Sequence, residues 1–128
     1  HDGARPFIDQ EMIRRVYEEV VQHKACVAGM PVKDTIKIVD TSEFAEETPD
    51  RSKVWLVQTP QAFENNLIKN AYKILVEKEE YSVTDDAMVV EKILGEKVKL
   101  VRGSYENIKI TTPEDLDIAG VFAKIQKK

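Results

Sequence analysis

The sequence predicts an α/β domain built on a mostly parallel sheet. Three observations carry that reading: short apolar or alternating runs take turns with helical stripes, helix starts carry capping residues, and no repeat, low-complexity tract or linker interrupts the pattern. Strands that alternate with helices in this way build a sheet whose faces are covered by the helices.

"DQEMIRRVYEEVVQHKA" opens the first helix, with Asp9 as N-cap, Glu11 in the first turn and apolar pairs Met12/Ile13, Val16/Tyr17 and Val20/Val21. That spacing predicts one buried stripe. "ACVAGMPV" is short and apolar, as a fully buried strand is. "DTIKIVD" and "SKVWLVQ" alternate around the polar "TSEFAEETPD", so they predict a hairpin or arm leaving the body of the domain. A lone hairpin is marginal in water, and such an arm needs a surface to pack on. "TPQAFENNLIKNAYKILVEKEE" predicts a helix capped by Thr59 with Pro60 at its first position, and "SVTDDAMVVEKILG" one capped by Thr84 and stopped by Gly95. "KVKLVRG" alternates as a strand. "NIKI" predicts another, with Lys109 pointing alone from one face, before Thr112 and Pro113 start the last helix. Glu114 and Asp115 in its first turn suit the helix dipole.

A chain of 128 residues suits one domain. Its net charge of −4 opposes binding along a nucleic-acid backbone, which needs a basic face. No apolar run approaches the roughly 20 residues of a membrane span, and no signal peptide is evident. The single cysteine, Cys26, sits in an apolar run and reads as a small buried hydrophobe. A reducing, cytoplasmic setting is the expectation.

In α/β sheets ligands gather at the C-terminal ends of strands. Asp2 and Arg5 in "HDGARP" would lie at such an end if a strand precedes residue 1, a carboxylate there able to hold a metal and an arginine able to fork onto phosphate. The plainer alternative is a loop salt bridge. "DTIK" offers Thr35, "PDR" offers Arg51 and "TDDA" offers Thr84, but an exposed arm explains the first two more simply and helix capping the third. His1 and His23 have no metal-ligand spacing, and no Walker or dinucleotide loop is present. Residue logic therefore reaches an α/β domain with a possible anion site.

The ordered set "HDGARPF", "PVKDTIK", "DRSKVWLVQTPQAF", "TDDA" and "GSYENIKITTPEDL" resembles the 2-C-methyl-D-erythritol 4-phosphate cytidylyltransferases over nearly all of the chain. The resemblance is to the C-terminal portion of that single domain, residues 1–128 here, and the family's N-terminal strands and glycine-rich nucleotide loop have no counterpart. It implies a Rossmann-like fold with a protruding β-arm at about residues 32–56, through which a homodimer forms. It also implies transfer of a cytidylyl group from CTP to methylerythritol phosphate in non-mevalonate isoprenoid synthesis, with Mg2+ or another divalent cation. By resemblance Asp2 is a catalytic residue and the metal ligand, and Lys109 lies at the reacting phosphate. Arg5, Thr35, Arg51, Thr59 and Thr84 contact substrate, with Asn107 and Thr111 flanking the lysine. Thr35 and Arg51 would come from the neighbouring subunit's arm. The chain alone is expected to lack the CTP-binding half. Two alternatives stand: a ribitol 5-phosphate cytidylyltransferase, and an inactive module for dimerisation and substrate binding.

Overall fold

The computed structural model describes residues 1–79 and 82–127. The elements are α1 (Gln10–His23), β1 (Ala25–Pro31), β2 (Ile38–Val39), β3 (Ala45–Glu47), a 3-10 turn (Arg51–Lys53), β4 (Trp55–Phe63), α2 (Asn65–Glu77), α3 (Asp86–Leu94), β5 (Lys99–Arg102) and α4 (Pro113–Gln126). The main sheet has the order β4-β1-β5. β1 runs antiparallel to β4 and parallel to β5, so the expected mostly parallel sheet is corrected to a mixed one.

β1 lies in the middle and is buried along almost its whole length, which is why its sequence is a continuous apolar run. Its alternate residues face two cores. Cys26 and Ala28 join Met12, Val16 and Val101 under α1. Ala25 joins Ala71, Leu75, Val89 and Val90 under α2 and α3. The Cys26 thiol donates to the Val16 carbonyl, and burial pushes its pKa up to about 11. It is a core residue rather than a reactive one.

Gly29 marks where β4 presses hardest on β1. A Cβ there would stand 2.8 Å from the Leu56 carbonyl oxygen, beside a bulge between Val27 and Gly29. Because that neighbour is backbone, Gly29→Ala is expected to destabilise the domain by about 1–3 kcal/mol. Denaturant unfolding checks this, with a shift in midpoint at unchanged slope as the expected outcome.

Capping chemistry explains the helix starts that sequence located. Asp9 accepts from Met12 N–H, and Gly95 closes α3 in the left-handed region. At α4 the Asp115 carboxylate accepts from the Thr111 and Thr112 N–H groups. Three expectations are corrected. Thr59 caps nothing, since residues 55–63 extend β4 and α2 starts only at Asn65. The α3 cap is Asp85, which accepts from Met88 N–H, and not Thr84. The segment around Lys109 forms no ladder, and Ile110 N–H instead donates to the Ala4 carbonyl.

The hairpin is also smaller than expected. β2, at the end of "DTIKIVD", pairs alone with β3, which lies inside the stretch expected to connect two strands, while "SKVWLVQ" goes into β4. The ribbon is exposed throughout, with Ile38, Val39 and Phe44 open to solvent. Among the described residues, no helix is long and apolar enough to cross a membrane.

Candidate active site

The first five residues fold into a turn closed by Arg5 N–H on the Asp2 carbonyl. Within that turn Asp2 Oδ1 accepts from Ala4 N–H at 2.9 Å, which aims Oδ2 outward. Oδ2 meets Lys109 Nζ at 3.3 Å, joining residues from opposite ends of the chain. The Ala4 N–H bond, with Lys109 and Arg5 beside it, holds the Asp2 carboxyl below its ordinary value. Asp2 is therefore an anion at neutral pH.

β4 supplies the next group. Thr59 Oγ accepts from Asp2 N–H at 3.1 Å and lies 3.0 Å from His1 Nδ1. His1 Nε2 faces the Arg5 carbonyl at 2.9 Å, so in the neutral ring Nε2 donates and Nδ1 accepts from the Thr59 hydroxyl. Arg5 is half-buried and donates from Nη1 to the Asn107 carbonyl at 2.6 Å, while its Nε has no partner. Desolvation lowers the Arg5 pKa, with Asp2 opposing, yet an arginine remains charged at any working pH.

Two concavities meet at the Asp2–Lys109 pair. One, of about 250 Å³, is lined by His1, Asp2, Thr59, Gln61, Asp85 and Asp86. The other, of about 420 Å³, includes Arg5, Gln58, Tyr105, Asn107 and Lys109. Gln61 ties the first wall together, donating to Asp85 and accepting from Ala87 N–H. Tyr72 braces it from behind by donating to Asp86, which pushes the phenol up to about 12.

The structure thus brings Asp2, Arg5, Thr59, Asn107 and Lys109 together. The remaining candidates do not line either cleft themselves, although Thr84 precedes Asp85 of the first and Thr111 bonds Asp115 of the second. Thr84 is exposed with its hydroxyl on the Met88 sulfur, and Thr111 gives its hydroxyl to Asp115. Thr35 is exposed ahead of β2, and Arg51 donates to the Lys33 carbonyl at 2.7 Å. Sequence reading placed His1 beside Asp2 without giving it a role, and passed over Gln58, Gln61 and Gly103. For Gln58 a signal existed: a polar residue inside the alternating "VWLVQ" run at a position that proves buried.

Among the described residues no three His, Cys, Asp or Glu side chains cluster as a ready metal cage. Asp2 offers one carboxylate at the meeting of the clefts, with Oδ1 accepting from Ala4 N–H and Oδ2 facing Lys109.

The model of the IspD family, 2-C-methyl-D-erythritol 4-phosphate cytidylyltransferase, matches residues 1–124. The chain belongs to this family. A 2-C-methyl-D-erythritol 4-phosphate cytidylyltransferase of Lachnospira eligens is 57% identical over 125 residues, covering 97% of this chain and 55% of that protein. The protein of that name from Clostridioides difficile is 51% identical over 128 residues, all of this chain and 53% of its own length. A crystal structure of 4-diphosphocytidyl-2C-methyl-D-erythritol synthase from Anaerococcus prevotii superposes with a TM-score of 0.88 at 40% identity, covering 97% of this chain and 57% of that one. The chain spans about half the length of the curated IspD relatives it matches.

Proposed function

We propose that this chain is the C-terminal portion of a cytidylyltransferase domain, residues 1–128, and supplies the sugar-phosphate side of its active site. The reaction is transfer of a cytidylyl group from CTP to 2-C-methyl-D-erythritol 4-phosphate. A phosphate oxygen of the acceptor attacks the α-phosphorus of CTP, the bond to the β-phosphate breaks, and pyrophosphate leaves with the electron pair. The observation that carries this reading is the 3.3 Å contact of Lys109 with Asp2, flanked by Arg5 and Thr59 in a chain of this family.

Two polyanions must be held together while charge shifts among phosphoryl oxygens, so fixed cations are the main requirement. Lys109 and Arg5 provide them, and the Thr59 hydroxyl offers a neutral hydrogen bond beside them. Where magnesium is bound, Asp2 is the residue that would hold it, and the ion would neutralise phosphate charge. The CTP side, including a glycine-rich loop, lies in the part of the family's domain outside the match.

The reading is tested in a completed chain, in which the unmatched part of the Lachnospira eligens relative is joined to these 128 residues. Pyrophosphate release from CTP is expected with methylerythritol phosphate and not with ribitol 5-phosphate, and the 128-residue chain alone is expected to release none. Turnover only with ribitol 5-phosphate, or with neither acceptor, contradicts the reading.

The exposed β2–β3 ribbon also supports a homodimer in which Thr35 and Arg51 act on the partner's substrate. Its exposed Ile38, Val39 and Phe44 need a covering surface. Arg51→Ala is then expected to raise the Michaelis constant for the sugar-phosphate about tenfold while leaving that for CTP unchanged, since it removes a ground-state phosphate contact. Steady-state kinetics with each substrate varied in turn checks this.

A further inference from the structure

Asn107 lies at the floor of the larger cleft and is fully buried. Its amide Nδ2 donates to Gln58 Oε1 at 3.0 Å and to the Thr59 carbonyl at 2.9 Å. Its own carbonyl receives Arg5 Nη1, and its N–H donates to the Ser104 carbonyl at 3.1 Å. Gln58, also buried, donates to the same Ser104 carbonyl at 2.8 Å. Two side-chain amides from different elements are thereby sewn together beneath the site. Asn107 meets Arg5 through its backbone carbonyl, holds the Thr59 carbonyl with its side-chain amide, and precedes Lys109 by two positions.

The close approach is built into the loop. A Cβ on Gly103 would lie 2.3 Å from Gln58 Oε1, the atom that accepts from Asn107. Only a residue without a side chain leaves Gln58 where Asn107 can reach it. Burying amides is costly unless they are paired; Asn107 Nδ2 is doubly paired while its Oδ1 has no partner among the described residues, so the Nδ2 bonds are what fix this arrangement. A fixed loop base in turn limits where the long Lys109 side chain can go.

We propose that Asn107 is a positioning residue rather than a substrate ligand, and that the Asn107–Gln58 amide pair sets the spacing of Lys109, Arg5 and Thr59. The proposal rests on the cytidylyltransferase reading for its kinetic consequences but not for its structural ones. In the completed chain, Asn107→Ala is expected to lower kcat about 10- to 100-fold while the Michaelis constants change less than threefold, as a small misplacement of a catalytic group does. In a Lys109→Ala background the same substitution is expected to cost clearly less than it does alone, because part of its effect acts through Lys109. Gly103→Ala, which disturbs Gln58 from the outer side, is expected to give the same split and serves if Asn107→Ala fails to fold. Effects that multiply fully with Lys109→Ala, or that fall on the Michaelis constants alone, overturn the proposal. Should the unaltered completed chain show no transfer with either acceptor, the functional reading fails by itself. Positioning is then read from amide spectra of the 128-residue chain. Asn107→Ala and Gly103→Ala should shift the Arg5, Thr59 and Lys109 signals together while leaving α3 signals in place; unchanged signals at those three residues overturn it.

Discussion

Lys109→Ala is expected to lower the rate of cytidylyl transfer in the completed chain by about a hundred- to a thousand-fold, the usual cost of removing one preorganised charge at a reacting centre. Thermal unfolding should move little. Lys109 is exposed, its ion pair with Asp2 is at the surface, and among the described residues no ladder or buried core includes it. Both kcat and kcat/KM should fall together, because the ammonium is needed most where charge builds on the phosphoryl oxygens. A rate within tenfold of the parent would remove Lys109 from the reacting centre.

Asp2→Asn is the second large effect, and its cause is electrostatic rather than steric. The amide oxygen can keep the bond from Ala4 N–H, but the group facing Lys109 becomes a donor against a donor. Lys109 is released from its partner, and a metal held by Asp2 loses its anion. Transfer is expected to fall about a hundredfold, and adding Lys109→Ala should cost little further, since two residues acting as a unit are not additive. The pH dependence follows from the same geometry. The folded carboxyl titrates below its ordinary value of 3.8 because the Ala4 bond and Lys109 favour the anion. The pair's contribution to stability is thus fully present above that value and is lost as pH falls through the lower folded one. The transfer rate should show no limb belonging to Asp2 between pH 5 and 8 by rough expectation. Loss of activity in that range that disappears in Asp2→Asn would contradict the assignment.

What the sequence made legible was local. Asp9, Gly95, Thr112 and Pro113 announce helix boundaries through chemistry acting within a few residues, and the apolar run of β1 announces burial on both faces. What failed was decided at long range. Thr59 and Pro60 look like a helix start, but pairing from Ala25↔Phe63 to Pro31↔Trp55 draws that segment into β4. Half of the α1 stripe is likewise open, since Ile13, Tyr17 and Val21 are exposed where the apolar spacing predicted cover. The alternation around Lys109 looks like a strand, yet the backbone there finds Ala4 instead of a ladder.

The site divides the same way. Asp2 and Arg5 are neighbours in "HDGARP", but Thr59 and Lys109 lie far from them in sequence, and only family resemblance grouped all four before the structure did. The layer beneath them was barely readable: Asn107 was grouped only by resemblance, and Gln58 carried only its polarity in an alternating run. Gln58, Gly103 and Asn107 are two amides and a glycine with no shared spacing, and their meaning exists only where β4 crosses the loop after β5.

The central claim is that these side chains handle one sugar-phosphate together, and chemical-shift mapping tests it most directly. Methylerythritol phosphate is titrated into the 15N-labelled completed chain. The account predicts saturable shifts at Asp2, Arg5, Thr59 and Lys109 that share one dissociation constant and vanish in Lys109→Ala. Shifts confined to other surfaces, or the same shifts surviving unchanged in Lys109→Ala, would contradict it.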